Sequence, residues 1–247
     1  MLPQYSKLNE KQRIKELPEL KVPQTVRLKF RKIGSLQYIS HLDLQRTFNR
    51  VIVRACLPIW YTKGFNPHAK LVFSTPLSVG AQSICEYLDI KIDREMPIDI
   101  IVSRLNAELT DELHIIEGYI PTRDFSDIAW SKYEIEIFTL SSDKALAEKI
   151  SSILTSSPIN MTKKTKSGEK EIDITSYIAK LDTSFDESSS LIKISCTLSA
   201  SAGEYLNPEM LISALKERGC VMCGDPSQEW YSITRTELLC KDFSPFK

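Results

Sequence analysis

The segment at residues 26–70, VRLKFRKIGSLQYISHLDLQRTFNRVIVRACLPIWYTKGFNPHAK, holds the patterns from which the fold is predicted. Apolar and basic residues alternate from Val26 to Ile33. This alternation predicts a strand with one buried face and one outward, positive face that carries Arg27, Lys29 and Arg31. Gly34 interrupts the alternation, and Ser40 is a suitable N-cap for a helix over about residues 41–55. The segment therefore predicts a strand followed by a helix.

The predicted helix is amphipathic. At about 100° per residue, one face is apolar and consists of Leu44, Phe48, Val51 and Ala55. The opposite face consists of Asp43, Arg46, Arg50 and Arg54. His41 lies in the first turn and projects on the apolar side.

Strand and helix patterns continue along the chain in a repeated order. Strands at 71–76, 84–92 and 113–120 and a helix at 97–109 complete a first β-α-β-β-α-β series. A connector at 121–130 precedes a second series. Its strands are predicted at 132–140, at 159–163 and 170–181 as one broken strand region, at 191–198 and at 230–239. Its helices are predicted at 144–154 and 207–218. We therefore predict an α+β protein of two tandem ferredoxin-like units with antiparallel sheets. The predicted divisions are an N-terminal arm at 1–25, a first domain at 26–122 and a second at 130–247.

Charge is distributed unevenly in this formally neutral chain of 247 residues. Residues 26–70 hold nine basic residues and one acid, Asp43, a net charge of +8, and the rest of the chain carries −8. No apolar run approaches the ~18 residues of a membrane-spanning helix, and the N-terminus has no apolar signal-peptide core. Six scattered cysteines are typical of a reducing cytosol. We expect a cytoplasmic protein without a membrane partner, whose function lies at its positive end.

Residues 61–70, YTKGFNPHAK, are predicted to form an ordered loop. Aromatic rings that stack on bases alternate here with cations that neutralise phosphates, as single-stranded nucleic acid requires. The candidate binding residues of the loop are Tyr61, Lys63, Phe65, Asn66, His68 and Lys70. The alternative interpretation is an Asn-Pro turn with Tyr61 and Phe65 buried beneath it.

Arg46, Arg50 and Arg54 recur every four residues, so their guanidinium groups align along one face of the predicted helix. Such a row suits phosphates, which accept bidentate hydrogen bonds from arginine. The sequence nearby offers few compensating acids, although a solvated helix face would give the same spacing. Together with Arg27, Lys29 and Arg31 of the strand, these residues complete the predicted binding surface for nucleic acid or another anion.

The histidines are the candidates for catalysis. His41 and Asp43 in the first helical turn could bind an anion or serve as acid and base, or they could pack in the core and cap the helix. If His41 and His68 both lie near phosphates, they could also carry out metal-independent RNA cleavage. That chemistry requires the loop after Pro58 to fold back over the N-terminal end of the helix.

Three cysteines near the C-terminus are weak candidates for a metal site. Cys220 and Cys223 form one CxxC, and Cys240 could approach them, but a structural zinc site needs a fourth ligand. Reduced thiols are the favoured interpretation, and we predict no cofactor. The basic run at 163–170, KKTKSGEK, is predicted to be an exposed hairpin tip.

Two linked motifs resemble a bacterial family. The residues ISHLDLQR at 39–46, Leu57-Pro58 with Tyr61, and GFNPHAK at 64–70 are similar to the radical SAM-associated (radical SAM-linked) domain of unknown function. The match covers about residues 26–120, and Ala69 stands where the family pattern has proline. The resemblance implies a bacterial cytosol and association with a radical SAM enzyme. This chain lacks the CxxxCxxC of such an enzyme.

Three functions remain open from the sequence. The first is an RNA-binding accessory protein that presents RNA to a radical SAM partner through a basic, histidine-containing cleft. The second is a metal-independent RNA-processing enzyme that uses His41 and His68. The third is a module that binds a protein or a small anion.

Overall fold

The computed structural model describes residues 9–10, 12–156, 158–165, 168–201 and 203–247. These residues form two compact units of mixed α and β structure, of which the first extends to Phe125 and includes Lys247, and the second runs from Ser126 to Phe246. No helix in the described ranges has both the length and the apolar character that crossing a membrane requires.

Among its described residues, the first unit has four antiparallel strands and two longer helices. Its elements are β1 (Glu19–Lys32), α1 (His41–Arg54), β2 (Val72–Phe73), β3 (Ala81–Arg94), α2 (Ile98–Asn106) and β4 (Leu113–Tyr119). β1 pairs with both β3 and β4, and β2 pairs with the other edge of β3. The strand order of this unit is therefore β4-β1-β3-β2.

Helix α1 packs on this sheet through its predicted apolar face. Ser40 caps the helix because its Oγ accepts a hydrogen bond from the backbone N–H of Asp43 at 3.2 Å. Phe48 is fully buried, and its ring meets the Phe30 ring of β1 edge-on at 5.0 Å. The core thus fixes which face of α1 remains at the surface.

The second unit contains the remaining elements. They are β5 (Ile128–Phe138), α3 (Lys144–Thr155), β6 (Asn160–Thr165), β7 (Gly168–Asp173), β8 (Ile178–Asp186), β9 (Leu191–Ser199), α4 (Glu209–Glu217) and β10 (Trp230–Cys240). Antiparallel pairing gives the order β10-β5-β9-β8, and β6 and β7 form a separate two-stranded hairpin.

Several strands extend beyond their predicted limits because a paired neighbour continues. β1 begins at Glu19, opposite Arg94 of β3, and a 2.6 Å ion pair joins these two side chains. β8 continues to Asp186 because it pairs with β9 along its length, although its sequence is polar. β5 begins at Ile128, inside the predicted connector. The turn of the predicted basic hairpin, Lys166 and Ser167, lies outside the described residues.

Candidate functional site

The N-terminal turn of α1 is held by a small polar network. The Ser40 hydroxyl donates to Asp43 Oδ2 at 2.7 Å, and Arg46 Nη1 donates to Asp43 Oδ1 at 3.2 Å. These two hydrogen bonds, the Ser40 bond first, lower the pKa of the exposed Asp43 carboxyl below its ordinary value. Asp43 therefore stabilises the start of the helix as an anion.

His41 is exposed, although it lies on the side of α1 that was predicted to face the core. Its ring meets the Phe73 ring of β2 edge-on, with 5.0 Å between the centroids. The side chain thus rests against an aromatic neighbour at the edge of the core and keeps access to solvent. The alternative in which His41 packs in the core is therefore wrong.

A narrow cleft adjoins His41 and contains two buried charges that sequence analysis did not single out. Its lining includes Lys32, Ser40, His41, Phe73, Thr75 and Glu86. Lys32 and Glu86 are only 3% and 6% exposed. The Lys32 ammonium group donates to the backbone carbonyls of Leu36 and Gln37, at 3.2 Å each. The free volume of about 10 Å³ accommodates roughly one water molecule, so a nucleotide does not fit.

The arginine row of α1 is at the surface as predicted, but two of its members have acidic partners. Arg46 pairs with Asp43 at 3.2 Å, and Arg54 pairs with Glu108 at 2.9 Å. The sequence near this row offers few acids, but Glu108, which follows α2 and is distant in sequence, compensates Arg54 in the structure. Arg50 is exposed and forms no ion pair with any described residue.

The predicted outward orientation of Arg27 on β1 is wrong. Its guanidinium group is 1% exposed and donates to both carboxylate oxygens of Asp89 at 2.7 Å. Arg27 also donates to the Arg123 carbonyl at 2.8 Å and lies 4.1 Å from the Phe125 ring centre. Burial opposes the charge, but the Asp89 carboxylate outweighs burial and raises the pKa of Arg27. This buried cation therefore holds the segment that follows β4 against the sheet.

The other two basic residues on this face of β1 are partly exposed. The Nε of Arg31 donates to the backbone carbonyl of Asp111 at 2.9 Å. Lys29 lies opposite Tyr87 of β3. The predicted positive face is thus smaller than the sequence indicates.

The 61–70 loop is closed at its base by its own hydrogen bonds. The Thr62 N–H donates to the His68 carbonyl at 3.0 Å, the His68 N–H donates to Thr62 Oγ1 at 3.2 Å, and Tyr61 forms a β-bridge with Ala69. Just before the loop, the Trp60 N–H donates to the Lys91 carbonyl of β3 at 2.8 Å. Residues 63–67 therefore project from an anchored base.

The tip of this loop presents its aromatic ring to solvent. The Phe65 side chain is fully exposed and Tyr61 is 45% exposed, so the alternative in which both rings are buried is wrong. Gly64 precedes Phe65 with a φ of +144°, which an L-residue rarely adopts. Lys63 and Lys70 are exposed in the same loop, and neither forms an ion pair within the described residues. Asn66 is also exposed.

The two candidate catalytic histidines have different surroundings. His68 is exposed in the loop, where its Nδ1 lies 3.1 Å from both Thr62 Oγ1 and the Asn66 carbonyl. The residues that line the cleft beside His41 do not include His68. The role of Thr62 was missed because nothing in the sequence pairs a threonine with a histidine six positions later.

The three candidate cysteines belong to the second unit, and the third histidine lies on β4 of the first. No group of three or more potential ligands among the described residues could hold a metal ion. Burial raises the pKa of the Cys220 thiol, and the neighbouring Cys223 raises it further. Cys240 is buried. His114 lies on β4, where its Nε2 is 3.3 Å from Asn106 Nδ2.

Comparisons with known proteins identify a family. Residues 25–208 match the model of a family described as an uncharacterized protein conserved in bacteria (DUF2344). No curated protein matches the chain.

Two solved structures are distantly similar. One is the crystal structure of an unknown protein from Galdieria sulphuraria, with 9% identity, 87% of this chain and 99% of that chain covered, and a TM-score of 0.25. The other is DyPB from Rhodococcus jostii RHA1, with 10% identity and a TM-score of 0.19. The similarity covers 88% of this chain and 94% of that chain. At these TM-scores, neither likeness carries an argument about fold or function.

Proposed function

The chain belongs to the bacterial family of uncharacterized conserved proteins DUF2344, and we propose that it is an RNA-binding accessory protein that presents single-stranded RNA to a radical SAM enzyme. The observation that carries the RNA-binding proposal is the full exposure of Phe65 at the tip of a hydrogen-bonded loop. A base that stacks on this ring removes its apolar surface from water, and stacking requires no particular base.

Three exposed cations of the first unit support the binding of a strand through its phosphate backbone. Lys63 and Lys70 belong to the same loop, and Arg50 lies on the outer face of α1. None of the three forms an ion pair with a described residue, so phosphates would not have to displace an acid. Three such contacts on a single strand correspond to a log–log salt dependence of about −2.

The proposed partner rests on the motifs of the sequence. SHLDLQR and GFNPHAK resemble the radical SAM-associated domain, and the chain lacks a CxxxCxxC of its own. Affinity purification from the native host, followed by identification of co-purified protein, tests this part. Reproducible recovery of a radical SAM enzyme supports it, and its absence under conditions that retain RNA contradicts it.

We also propose that each unit has the ferredoxin-like arrangement, the second with the β6–β7 hairpin inserted. What supports this is the strand order. When the four sheet strands of each unit are numbered along the chain, both sheets read 4-1-3-2 with antiparallel neighbours. The phenylalanine-bearing loop then follows the first helix of the first unit.

RNA binding is tested with Phe65→Ala. We expect a single-stranded RNA of about ten nucleotides to bind the natural protein at low salt, with affinity falling as salt rises. Removal of one stacking ring weakens binding by about 5- to 150-fold, because one base stack contributes roughly 1–3 kcal/mol. Fluorescence anisotropy over a salt series measures both effects.

The matched control is Leu140→Ala, which shortens an apolar side chain that is 75% exposed in the second unit. It should leave affinity unchanged. The proposal is wrong if the natural protein binds no RNA at low salt, if binding does not depend on salt, or if Phe65→Ala binds as tightly as the natural protein.

A further inference from the structure

The hydrogen bonds around His68 determine which of its ring nitrogens carries hydrogen. Nδ1 lies 3.1 Å from the Asn66 carbonyl oxygen, which can only accept. Nδ1 is therefore the donor, and in the neutral imidazole Nε2 is left with a lone pair. The tautomer follows from the loop's own backbone.

Thr62 holds this ring in place. Its Oγ1 accepts from the His68 backbone N–H at 3.2 Å and also lies 3.1 Å from Nδ1. One hydroxyl thus contacts both the main chain and the ring of His68. Nε2 forms no hydrogen bond with the described residues, and the side chain is exposed. The loop therefore holds a hydrogen-bond acceptor three residues after Phe65 in the chain.

A neutral acceptor discriminates among the groups of a nucleic acid strand. Phosphate oxygens only accept, so they cannot bond to the Nε2 lone pair. Base N–H groups differ from base to base, whereas stacking on Phe65 tolerates any base. The ribose 2′-hydroxyl is a donor present on every RNA nucleotide and absent from DNA.

We propose that His68 Nε2 accepts a hydrogen bond from a ribose 2′-hydroxyl and so selects RNA over DNA. This inference rests on the proposed RNA binding at the same loop. His68 is the specificity-determining residue, and Thr62 is a positioning residue that acts through it.

Three oligonucleotides of one sequence test the proposal: RNA, 2′-fluoro RNA and DNA. The fluoro sugar keeps an RNA-like pucker but cannot donate. The natural protein should bind RNA about 3- to 10-fold more tightly than the other two, the range expected for one neutral hydrogen bond. If 2′-fluoro RNA binds as tightly as RNA, backbone shape causes the preference and the proposal is wrong.

His68→Phe keeps a planar ring and removes the acceptor. It should abolish the preference for RNA over DNA, measured as the ratio of the two affinities. Thr62→Val should reduce this ratio in the same direction. The matched control His114→Phe, at a half-buried histidine on β4, should retain the full preference.

The outcomes separate this inference from the proposed function. Equal binding of RNA and DNA by the natural protein, or an unchanged preference in His68→Phe, overturns the role of His68 and leaves RNA binding standing. Failure to bind any of the three oligonucleotides overturns both. Thermal unfolding of each variant checks that a lost preference does not come from a lost fold.

Discussion

Removal of the Asp89 carboxylate should be among the most destabilising single changes in the first unit. Asp89→Ala leaves the Arg27 guanidinium group, of which 1% is exposed, without its two 2.7 Å hydrogen bonds to the carboxylate. Breaking a buried ion pair by removing one partner costs about 3–5 kcal/mol, because the other charge remains buried. That is a large fraction of a typical folding free energy of roughly 5–15 kcal/mol.

Urea unfolding measures this loss. With a slope of about 2 kcal/mol per molar urea, the midpoint should fall by roughly 2 M. The double variant Arg27→Met with Asp89→Leu removes both charges and replaces them with apolar side chains, so it should be clearly more stable than Asp89→Ala. A double-mutant cycle with Arg27→Met and Asp89→Leu alone gives the coupling between the two positions.

An exposed ion pair is the control. Arg46→Ala removes a partner of Asp43, but both side chains are more than half exposed, and we expect a loss below about 1 kcal/mol. The reasoning fails if Asp89→Ala costs no more than Arg46→Ala, or if the double variant is as unstable as the sum of its single variants.

Two further predictions concern helix α1 and its surroundings. Ser40→Ala should lower the free energy of unfolding by about 0.5–2 kcal/mol because the N-cap acceptor for the Asp43 N–H is lost, whereas Ser40→Thr should lose little in the same urea titration. The second prediction is pH dependence. Hydrogen bonds from the Ser35 side chain and backbone lower the pKa of Glu112, as the Ser40 and Arg46 bonds do for Asp43. Since these folded pKa values lie below the unfolded ones, the stabilisation is present above about pH 4 and is lost as the pH falls further. Urea titrations at pH 7, 4 and 3 should show the free energy of unfolding falling with pH. The fall should be smaller in Glu112→Gln than in the natural protein. An equal fall in that variant would contradict the assignment to Glu112.

The sequence predicts what depends on local pattern. The limits of α1, its Ser40 cap and its buried face follow from residues within one or two turns of each other. The strands β3, β4 and β9 follow from alternation, with ends that differ by a few residues. The surface position of Arg46, Arg50 and Arg54 also follows from the helical projection.

What the sequence could not predict depends on partners that are distant along the chain. Arg27 is basic at an alternating position, so it resembles a solvent-facing residue until Asp89, 62 positions away, neutralises it. Glu108 reaches Arg54 from 54 positions away. The burial of Lys32 and Glu86 was missed for another reason, because a buried charge leaves no mark on hydrophobic periodicity.

The self-contained base of the 61–70 loop has an evolutionary consequence. The Phe65 and Asn66 side chains are exposed, whereas Gly64 has a φ of +144°, at which any other residue would be strained. Exchange of the Phe65 or Asn66 side chain should therefore cost little folding free energy, whereas the Thr62 hydroxyl is needed to accept the His68 N–H at the base. Selection on ligand affinity at Phe65 can thus proceed largely apart from selection on the stability of the scaffold beneath.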